Sequence, residues 1–346
     1  MAEARNFLSL NNHDMGTVNI AGAGIIGLSS AWRLAQQGWA VTVFDRREAL
    51  HEASWAAAGM LAPGGEIDSN AALAQMALRS LSLYPEFIRD LEEESGLAIE
   101  YRQCGAVEVA FDAPELAALT QKAARQAALG IHSEPCQHAG HSARRYPGDA
   151  LVDPLSINDA LLVACRSRGV VIREHEPVTE ILGNGAGVRT EHADYMSDRV
   201  LIAAGAWSSA LFPGLPRAYP VRGHLLSFEL EPGLLPVIVR SEHAYVVQRE
   251  SGSVVAGSSM ENAGFDREIN ASVAEEIHGR AAKLVPALAS LKPSNCWTGL
   301  RPASDTGPVV GRFADTNIWT AYGHFRNGIL LTPDTAQTIA DEFGPA

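Results

Sequence analysis

The stretch 17–45, TVNIAGAGIIGLSSAWRLAQQGWAVTVFD, constrains the fold more than any other part of the chain. Val18 and Ile20 alternate with polar neighbours and lead into Ala21, the pattern of a strand. Gly22, Gly24 and Gly27 follow in the G-x-G-x-x-G spacing. In that spacing the first glycine permits a tight turn and the second lets backbone approach a pyrophosphate. The third lets helix and strand pack closely. A helix opening at Ile25 and Ile26 aims free N–H groups and the positive end of its dipole at a phosphate. Its apolar positions run through Trp32 and Leu34 to a stop at Gln36-Gln37-Gly38. Ala40–Phe44 reads as a second, buried strand, and Asp45 closes it. Asp45 lies eighteen residues beyond Gly27, near the roughly twenty expected of the acid that accepts a ribose hydroxyl. A glycine triplet alone is a weak sign. Strand, turn, helix, strand and acid in this order predict a βαβ unit that binds a dinucleotide, with NAD and FAD equally open.

Length and charge bound the rest. At 346 residues the chain is expected to form two domains. The net charge of −13 argues against nucleic acid and anionic membranes as partners. It leaves room for a small carboxylate held by local arginines. No window approaches a transmembrane span. Residues 1–15 lack the form of a signal peptide and read as a disordered extension. Cys104, Cys136, Cys165 and Cys296 form no C-x-x-C pair, the usage of a reducing compartment. A soluble, cytoplasmic protein is expected.

Further along, Ala53 to Leu61 is a run of very small residues that would let backbone approach something large and flat; taken alone it reads better as a tightly packed helix start. Periodicity predicts a helix over 70–94, kinked at Pro85, strands at 99–101 and 106–111, and a helix over 113–128. The polar segment 132–145 carries His132, Cys136, His138 and His141 without a zinc spacing. It reads as a solvated loop, and no metal is assigned. A helix over 155–168 leads to strands near 169–172 and 178–181, so the chain returns to the nucleotide unit. A buried strand over 199–203 breaks at Gly205, where small residues let a loop pass close to a nucleotide or simply turn. Segments 219–230, 237–240, 244–249 and 253–257 are spaced as antiparallel strands of a second sheet. A helix over 271–284, strands at 296–301 and 317–322, a glycine-bounded turn 323–328 and a final helix over 329–343 complete the chain.

These pieces resemble the D-amino-acid oxidase-like FAD-dependent oxidases, within them the glycine oxidase branch of thiamine-thiazole synthesis. The resemblance runs from about Val18 to the final helix. It is carried most specifically by SWAAAGMLAP (54–63), HAYVVQR (243–249), WTGLRPASDTGPVVGR (297–312) and GHFRNGILL (323–331). The fold it implies is α/β, α+β overall. A Rossmann-like FAD-binding domain, discontinuous over 16–83, 148–215 and 301–346, joins a substrate domain over 84–147 and 216–300 built on an antiparallel sheet with helices.

The resemblance also implies site residues. Gly22, Gly24, Ile25, Ile26, Gly27, Asp45 and Arg46 would hold the ADP half of FAD, and Val178 would meet the adenine. Gly205 would pass close to the nucleotide. Ala53, Ser54, Ala58, Gly59 and Met60 would lie along the flavin. His324, Phe325, Arg326, Asn327, Gly328, Ile329 and Leu330 would sit at its ring. Arg301 would bind the substrate carboxylate, with Tyr245 and Arg326 beside it as catalytic groups. His243, Met260 and Ala62 would line the substrate pocket. Cys296 falls upstream of the position where some relatives attach flavin, so FAD is expected to be non-covalent. Asp45 stands where many relatives carry Glu, and Trp55 is bulky within a run of small residues.

Residue chemistry agrees where it speaks. A guanidinium fork at Arg301, set before Pro302, suits a bidentate carboxylate; a structural Arg–carboxylate bridge explains it as well. The Tyr245 phenol can hydrogen-bond the same carboxylate or be an ordinary sheet tyrosine. Amides at the turn 323–328 suit negative charge on a reduced flavin, or merely begin a helix. The motifs hold no evident general base, which fits hydride transfer from a free amine to flavin N5. The implied activity is oxidation of glycine, with sarcosine or small D-amino acids, to an imine or glyoxylate and ammonia. Oxygen would accept the electrons and yield hydrogen peroxide, and a homo-oligomer, tetramer or dimer, is implied. Two alternatives stay open: a dehydrogenase-type relative using another acceptor, and a flavoprotein subunit of a cyanide-forming synthase.

Overall fold

The computed structural model describes residues 15–346. The expected N-terminal extension lies, but for Met15, outside the described residues. Strand β1 (Thr17–Ala21), helix α1 (Ile25–Gln36) and strand β2 (Ala40–Phe44) form the predicted unit. β1 lies parallel to β2, with Val18 beside Val41 and Ile20 beside Val43. The six-stranded sheet runs Val309–Arg312, Ile318–Tyr322, Arg199–Ile202, β1, β2, Val171–Arg173. All its pairs are parallel except the edge pair of Val309–Arg312 with Ile318–Tyr322. Parallel strands covered on both faces become continuous apolar runs; Val18, Ile20, Val43, Leu201 and Ile202 are buried accordingly. Helix α1 packs between Pro154–Ser167 and the final helix, Thr332–Phe343. Its Trp32 meets Phe87 edge-on at 5.4 Å.

Eight strands form the second large sheet, in the order Asn295–Ser304, Ala218–Glu229, Ser253–Gly257, Tyr245–Gln248, Ile238–Arg240, Ala106–Ala110, His141–Tyr146, Glu134–His138. The four expected antiparallel segments are among them. Helix Ala271–Leu284 buries Ile277, Ala281 and Leu284 against this sheet beside Phe228 and Val246. Two small sheets, Glu180–Leu182 with Gly187–Arg189 and Asp194–Met196, and Met60–Leu61 with Ala150–Val152 and Tyr101–Arg102, complete the frame. No described helix is long and apolar enough to cross a membrane.

Two expectations change. Segment 132–145 is not a solvated loop: it forms the edge hairpin Glu134–His138/His141–Tyr146, held because Ala143 and Tyr146 are buried against Ala106–Ala110. The final helix begins at Thr332, not Ile329, because Pro333 suits a first turn and residues 325–327 close a separate 3-10 turn. The expected domain crossings at 83/84 and 300/301 fall inside continuous elements, the helix Ala71–Ser95 and the strand Asn295–Ser304. That helix keeps Pro85 in its interior and is capped by Asn70, whose side chain accepts the Leu73 amide at 3.0 Å.

A buried ion cluster ties the second sheet to the loop 62–67. Arg240 bonds Glu108 at 2.9 Å and Asp149 at 2.6 Å, Lys122 bonds Glu108 at 2.9 Å, and Asp149 accepts the Gly64 amide. Removing one partner strands a buried charge. Arg240→Ala is expected to cost about 3–5 kcal/mol of stability, read by urea unfolding at neutral pH. A loss below about 1 kcal/mol would show that the cluster contributes little.

Candidate functional site

A cavity of about 560 Å³ opens where the carboxyl ends of β1, β2 and Arg199–Ile202 face the eight-stranded sheet. Its walls hold Gly22, Gly24, Ile25, Ile26, Asp45, Arg46, Ala53, Ser54, Ala58, Gly59, Met60, Val178 and Gly205. They also hold Tyr245, Arg301, His324, Phe325, Arg326, Gly328 and Ile329. Residues more than 300 positions apart in sequence, Gly22 and Ile329, thus share one cavity.

The three glycines of the turn differ in their reason for being glycine. Gly22 has φ +110°, and a Cβ there would lie 2.3 Å from the Ala203 carbonyl oxygen. At Gly27 a Cβ would lie 1.9 Å from the Gly22 carbonyl oxygen, so this residue packs the turn and does not line the cavity. Gly24 is extended, and a Cβ there would meet only Ser54 Oγ, at 3.5 Å. Neither backbone nor packing requires glycine at 24, which faces cavity space. Gly328 repeats this at the far end: its φ is −55°, and a Cβ would touch only His324 Cβ, at 4.0 Å. A dinucleotide-sized group pressed against both backbones accounts for the two missing side chains. The residues therefore fit a bound FAD.

Around the turn, Asp45 accepts the Ala23 amide at 2.7 Å and the Arg47 amide at 3.0 Å. Burial pushes its carboxyl upward while both amides pull it down. A carboxylate offers about four lone-pair sites, so capacity remains for a ribose hydroxyl. Ser54 Oγ accepts the Ile25 amide at 2.9 Å. The Arg46 guanidinium lies over the Trp207 ring at 3.5 Å and pairs with Glu52 at 2.8 Å. Val178 lines the cavity between Pro177 and Thr179.

The turn 323–331 forms the opposite wall. Tyr84 Oη donates to the Ile329 carbonyl, Thr332 Oγ1 to Gly328 at 2.8 Å, and the Leu331 amide to Asn327 at 2.8 Å. Phe325 holds φ +51°, a strained value for a non-glycine. Asn327 and Leu330, expected at the ring, are buried and not among the cavity walls. His324 is 2% exposed, with Nε2 3.0 Å from Thr335 Oγ1. Burial lowers its pKa to about 4. An imidazole neutral in the fold and charged when unfolded supports stability above its unfolded pKa, and that support is lost as pH falls from about 6.5 towards 4. The loss is about 3 kcal/mol. Wild type is expected to lose that much relative to His324→Gln between pH 7 and about pH 4, in urea unfolding. Parallel pH profiles would contradict a buried neutral imidazole.

Arg301 and Tyr245 both line the cavity from the second sheet, on strands separated by two others. Arg301 Nη1 donates to the Ser259 carbonyl at 3.0 Å and, more weakly, to the Arg222 carbonyl at 3.5 Å. Nη2 donates to Ser258 Oγ at 2.8 Å. Uncommitted among the described residues are Nε–H and one Nη2–H, the edge of the fork that pairs with a carboxylate. No described carboxylate lies within 4.0 Å of this guanidinium, so it is not a structural bridge. Burial, and then the like charge of Arg326, lower its pKa, opposed by Tyr245 and Glu66. Gly223 makes room for the group: a Cβ there would lie 2.2 Å from it. Burial pushes the Tyr245 phenol up, so it remains a donor at neutral pH.

Arg326 stands differently. It forms a two-point pair with Glu66, at 2.6 and 2.8 Å, leaving Nη1 toward Met260 Sδ at 3.6 Å. Arg326, expected beside Arg301 in the pocket, lines the cavity with its charge already neutralised by Glu66. Ala62, His243 and Met260 do not line this cavity; they line an adjoining one of about 640 Å³ that shares Met60, Glu66, Tyr245, Ser258 and Arg326 with it. Ala62 is buried, whereas His243 and Met260 project outward on connecting segments. Sequence reasoning missed Glu66, Ser258, Ser259, Glu52 and Trp207. Only Glu66 had a usable signal, an acid three residues beyond the specific segment 54–63.

Comparison with known proteins agrees with this geometry. The profile of the DAO family, FAD dependent oxidoreductase, matches residues 17–342. The glycine oxidase of Bacillus licheniformis is 32% identical over 336 residues, covering 93% of this chain and 91% of that one. The bifunctional protein ThiO/ThiG of Synechocystis sp. is 33% identical over 341 residues; the match covers 94% of this chain and 51% of that protein, so this chain spans about half its length. The crystal structure of glycine oxidase from Geobacillus kaustophilus shares a TM-score of 0.89 at 27% identity, over 95% of both chains.

Proposed function

The chain belongs to the DAO family of FAD-dependent oxidoreductases, and we propose that it oxidises glycine and other small amino acids, sarcosine and small D-amino acids among them, with oxygen as terminal acceptor. One observation carries the reading: the Arg301 guanidinium, without a carboxylate partner, lines the same cavity as the glycine turn and Tyr245. On this reading 16–83, 148–215 and 301–346 form the cofactor domain, and 84–147 with 216–300 the substrate domain.

When bound, FAD supplies the two-electron acceptor for the hydrogen on the substrate α-carbon. Gly24, the start of α1 and Asp45 would hold the ADP half, with the helix amides available to the pyrophosphate. Residues 56–59 and the turn at Gly328, which line the cavity, would flank the ring system. The free edge of Arg301 takes the substrate carboxylate in a bidentate pair, and Tyr245 adds a hydrogen bond. Two fixed points orient the α-carbon before reaction, which is where the rate gain of positioning arises. Glu66 keeps Arg326 neutralised, so one net cation meets one carboxylate. The cavity's acids, Asp45, Glu52 and Glu66, are all engaged by amides or arginines, and its histidine, His324, is tied to Thr335. None is free to take the ammonium proton, so the substrate enters as the free amine and turnover rises with pH through the amine's own ionisation. No cysteine lines the cavity, in keeping with FAD held without a thioether. The product imine hydrolyses to glyoxylate and ammonia or enters thiazole synthesis.

An oxygen electrode tests this. The holoenzyme with glycine is expected to consume oxygen and form hydrogen peroxide in equal amounts, with matching glyoxylate. A colourless protein, or a reduced flavin re-oxidised faster by a quinone than by oxygen, would refute the oxidase reading.

A further inference from the structure

Segment 258–270 leaves the sheet after Ser253–Gly257 and ends at the helix Ala271–Leu284. Among the described residues its only sheet pairing is one bridge, Glu261 to Arg222. Both of its ends are nevertheless tied to one side chain. His224, on Ala218–Glu229, has no exposed surface. Its Nε2 accepts the Asn270 amide at 2.9 Å. An imidazole that accepts at Nε2 carries its proton on Nδ1, and Nδ1 lies 2.8 Å from Glu261 Oε1. Ser259 Oγ completes the cluster, donating to Glu261 at 2.6 Å and accepting the His224 amide at 2.9 Å.

Between those ends the segment touches both halves of the site. At its start, Ser258 Oγ and the Ser259 carbonyl seat Arg301. Farther on, Phe265 stacks on Trp207 at 4.8 Å and Arg267 pairs with Glu52; Trp207 and Glu52 are wall residues of the cofactor cavity. Arg222 compensates the charges of Glu261 and Asp266. A strap with so little regular structure keeps its shape through such side-chain bonds, and in a buried network their loss propagates.

We propose that His224 is a positioning residue: it clasps segment 258–270 at both ends, and so one imidazole sets the seat of Arg301 and braces the wall of the cofactor cavity. The proposal rests on the assignment of Arg301 to the substrate carboxylate. Its role parallels that of outer groups that orient inner ligands, whose loss typically costs about 10- to 100-fold.

The test uses the FAD-loaded enzyme and needs no turnover. Acetate is the probe for the carboxylate seat, its Kd read from the perturbed flavin spectrum. The FAD dissociation rate is read after dilution. His224→Leu, close in volume, removes both hydrogen bonds, and both quantities are expected to rise about tenfold. Glu261→Gln, which keeps an acceptor for Nδ1–H, is expected to shift each less than about threefold. A rise in only one quantity, in neither, or an equal rise in Glu261→Gln overturns the proposal. Should His224→Leu not fold, Ser259→Ala replaces it; both values are expected to rise together about threefold, and unchanged values overturn the clasp. Acetate affinity that survives Arg301→Ala refutes the carboxylate assignment instead, and with it the Arg301 half of this proposal, while the FAD measurement still decides the bracing.

Discussion

Replacing Arg301 by alanine raises the apparent KM for glycine roughly 30- to 5,000-fold and leaves FAD bound. The range follows from the cost of truncating one member of a buried, hydrogen-bonded charge pair, about 2–5 kcal/mol. In this protein the cost is set by the absence of a substitute. Arg326 is committed to Glu66 by two short bonds, and among the described residues no other cation lines the cavity except Arg46, at the Asp45 end. Arg301→Lys keeps a charge and loses the planar fork, so a smaller rise is expected, about tenfold. Steady-state kinetics at saturating FAD reads both values. The three carbonyl and hydroxyl bonds of Arg301 do not touch the glycine turn, so the flavin spectrum should be retained. An unchanged KM in Arg301→Ala would remove this residue from the substrate site.

Gly24→Val should yield a folded protein that purifies without colour. The extended backbone at Gly24 suits valine, and its Cβ would meet only Ser54 Oγ at 3.5 Å, so the apoprotein loses little. The new methyls occupy the space that a pyrophosphate needs next to the helix N-terminus. FAD affinity is expected to fall roughly 100-fold or more, about 3 kcal/mol, the upper end of an overpacking penalty. Gly27→Val provides the contrast. There a Cβ would lie 1.9 Å from the Gly22 carbonyl oxygen, so the expected result is loss of folded protein and not selective loss of cofactor. FAD titration of the apoproteins, together with their unfolding curves, separates the two. Equal FAD affinity in Gly24→Val and wild type would refute the assignment of this cavity to the dinucleotide.

How much of this was legible in the sequence depends on the range over which each feature is encoded. β1, α1 and β2 were legible to within a residue because periodicity, glycine spacing and the closing acid are all local. The second sheet was legible as strands, since Tyr245–Gln248 and Ser253–Gly257 are short apolar runs between turns. The edge hairpin was not: Glu134, Gln137, Arg144 and Arg145 give it a polar exterior, and only contact with Ala106–Ala110 makes it a strand pair. The start of the last helix moved because the pattern of buried residues continues through Ile329 and Leu330 although the backbone there is still turning.

Within the site, type was legible and partnership was not. In sequence Arg301 and Arg326 both read as pocket residues, with only Arg301 assigned to the carboxylate and no partner visible for either. They differ because Glu66, 260 positions from Arg326, comes to one and not to the other. His243, Met260 and Ala62 lie in the neighbouring cavity for a similar reason, since connecting segments, and not strands, carry them. Taken alone, the small-residue run 53–61 favoured a packed helix start over a flat ligand. Ala53–Ala56 is a short helix, and residues 57–60 pass along the cavity.

The central claim is that a carboxylate held by Arg301 places its α-carbon at the flavin. Anaerobic mixing of the holoenzyme with glycine, against methylamine at equal free-amine concentration, tests it most directly. Glycine is expected to bleach the oxidised flavin band in a saturable, single-turnover phase, and methylamine, which lacks the carboxylate, to leave the band unchanged. Equal bleaching by the two amines, or none by glycine, would contradict the account.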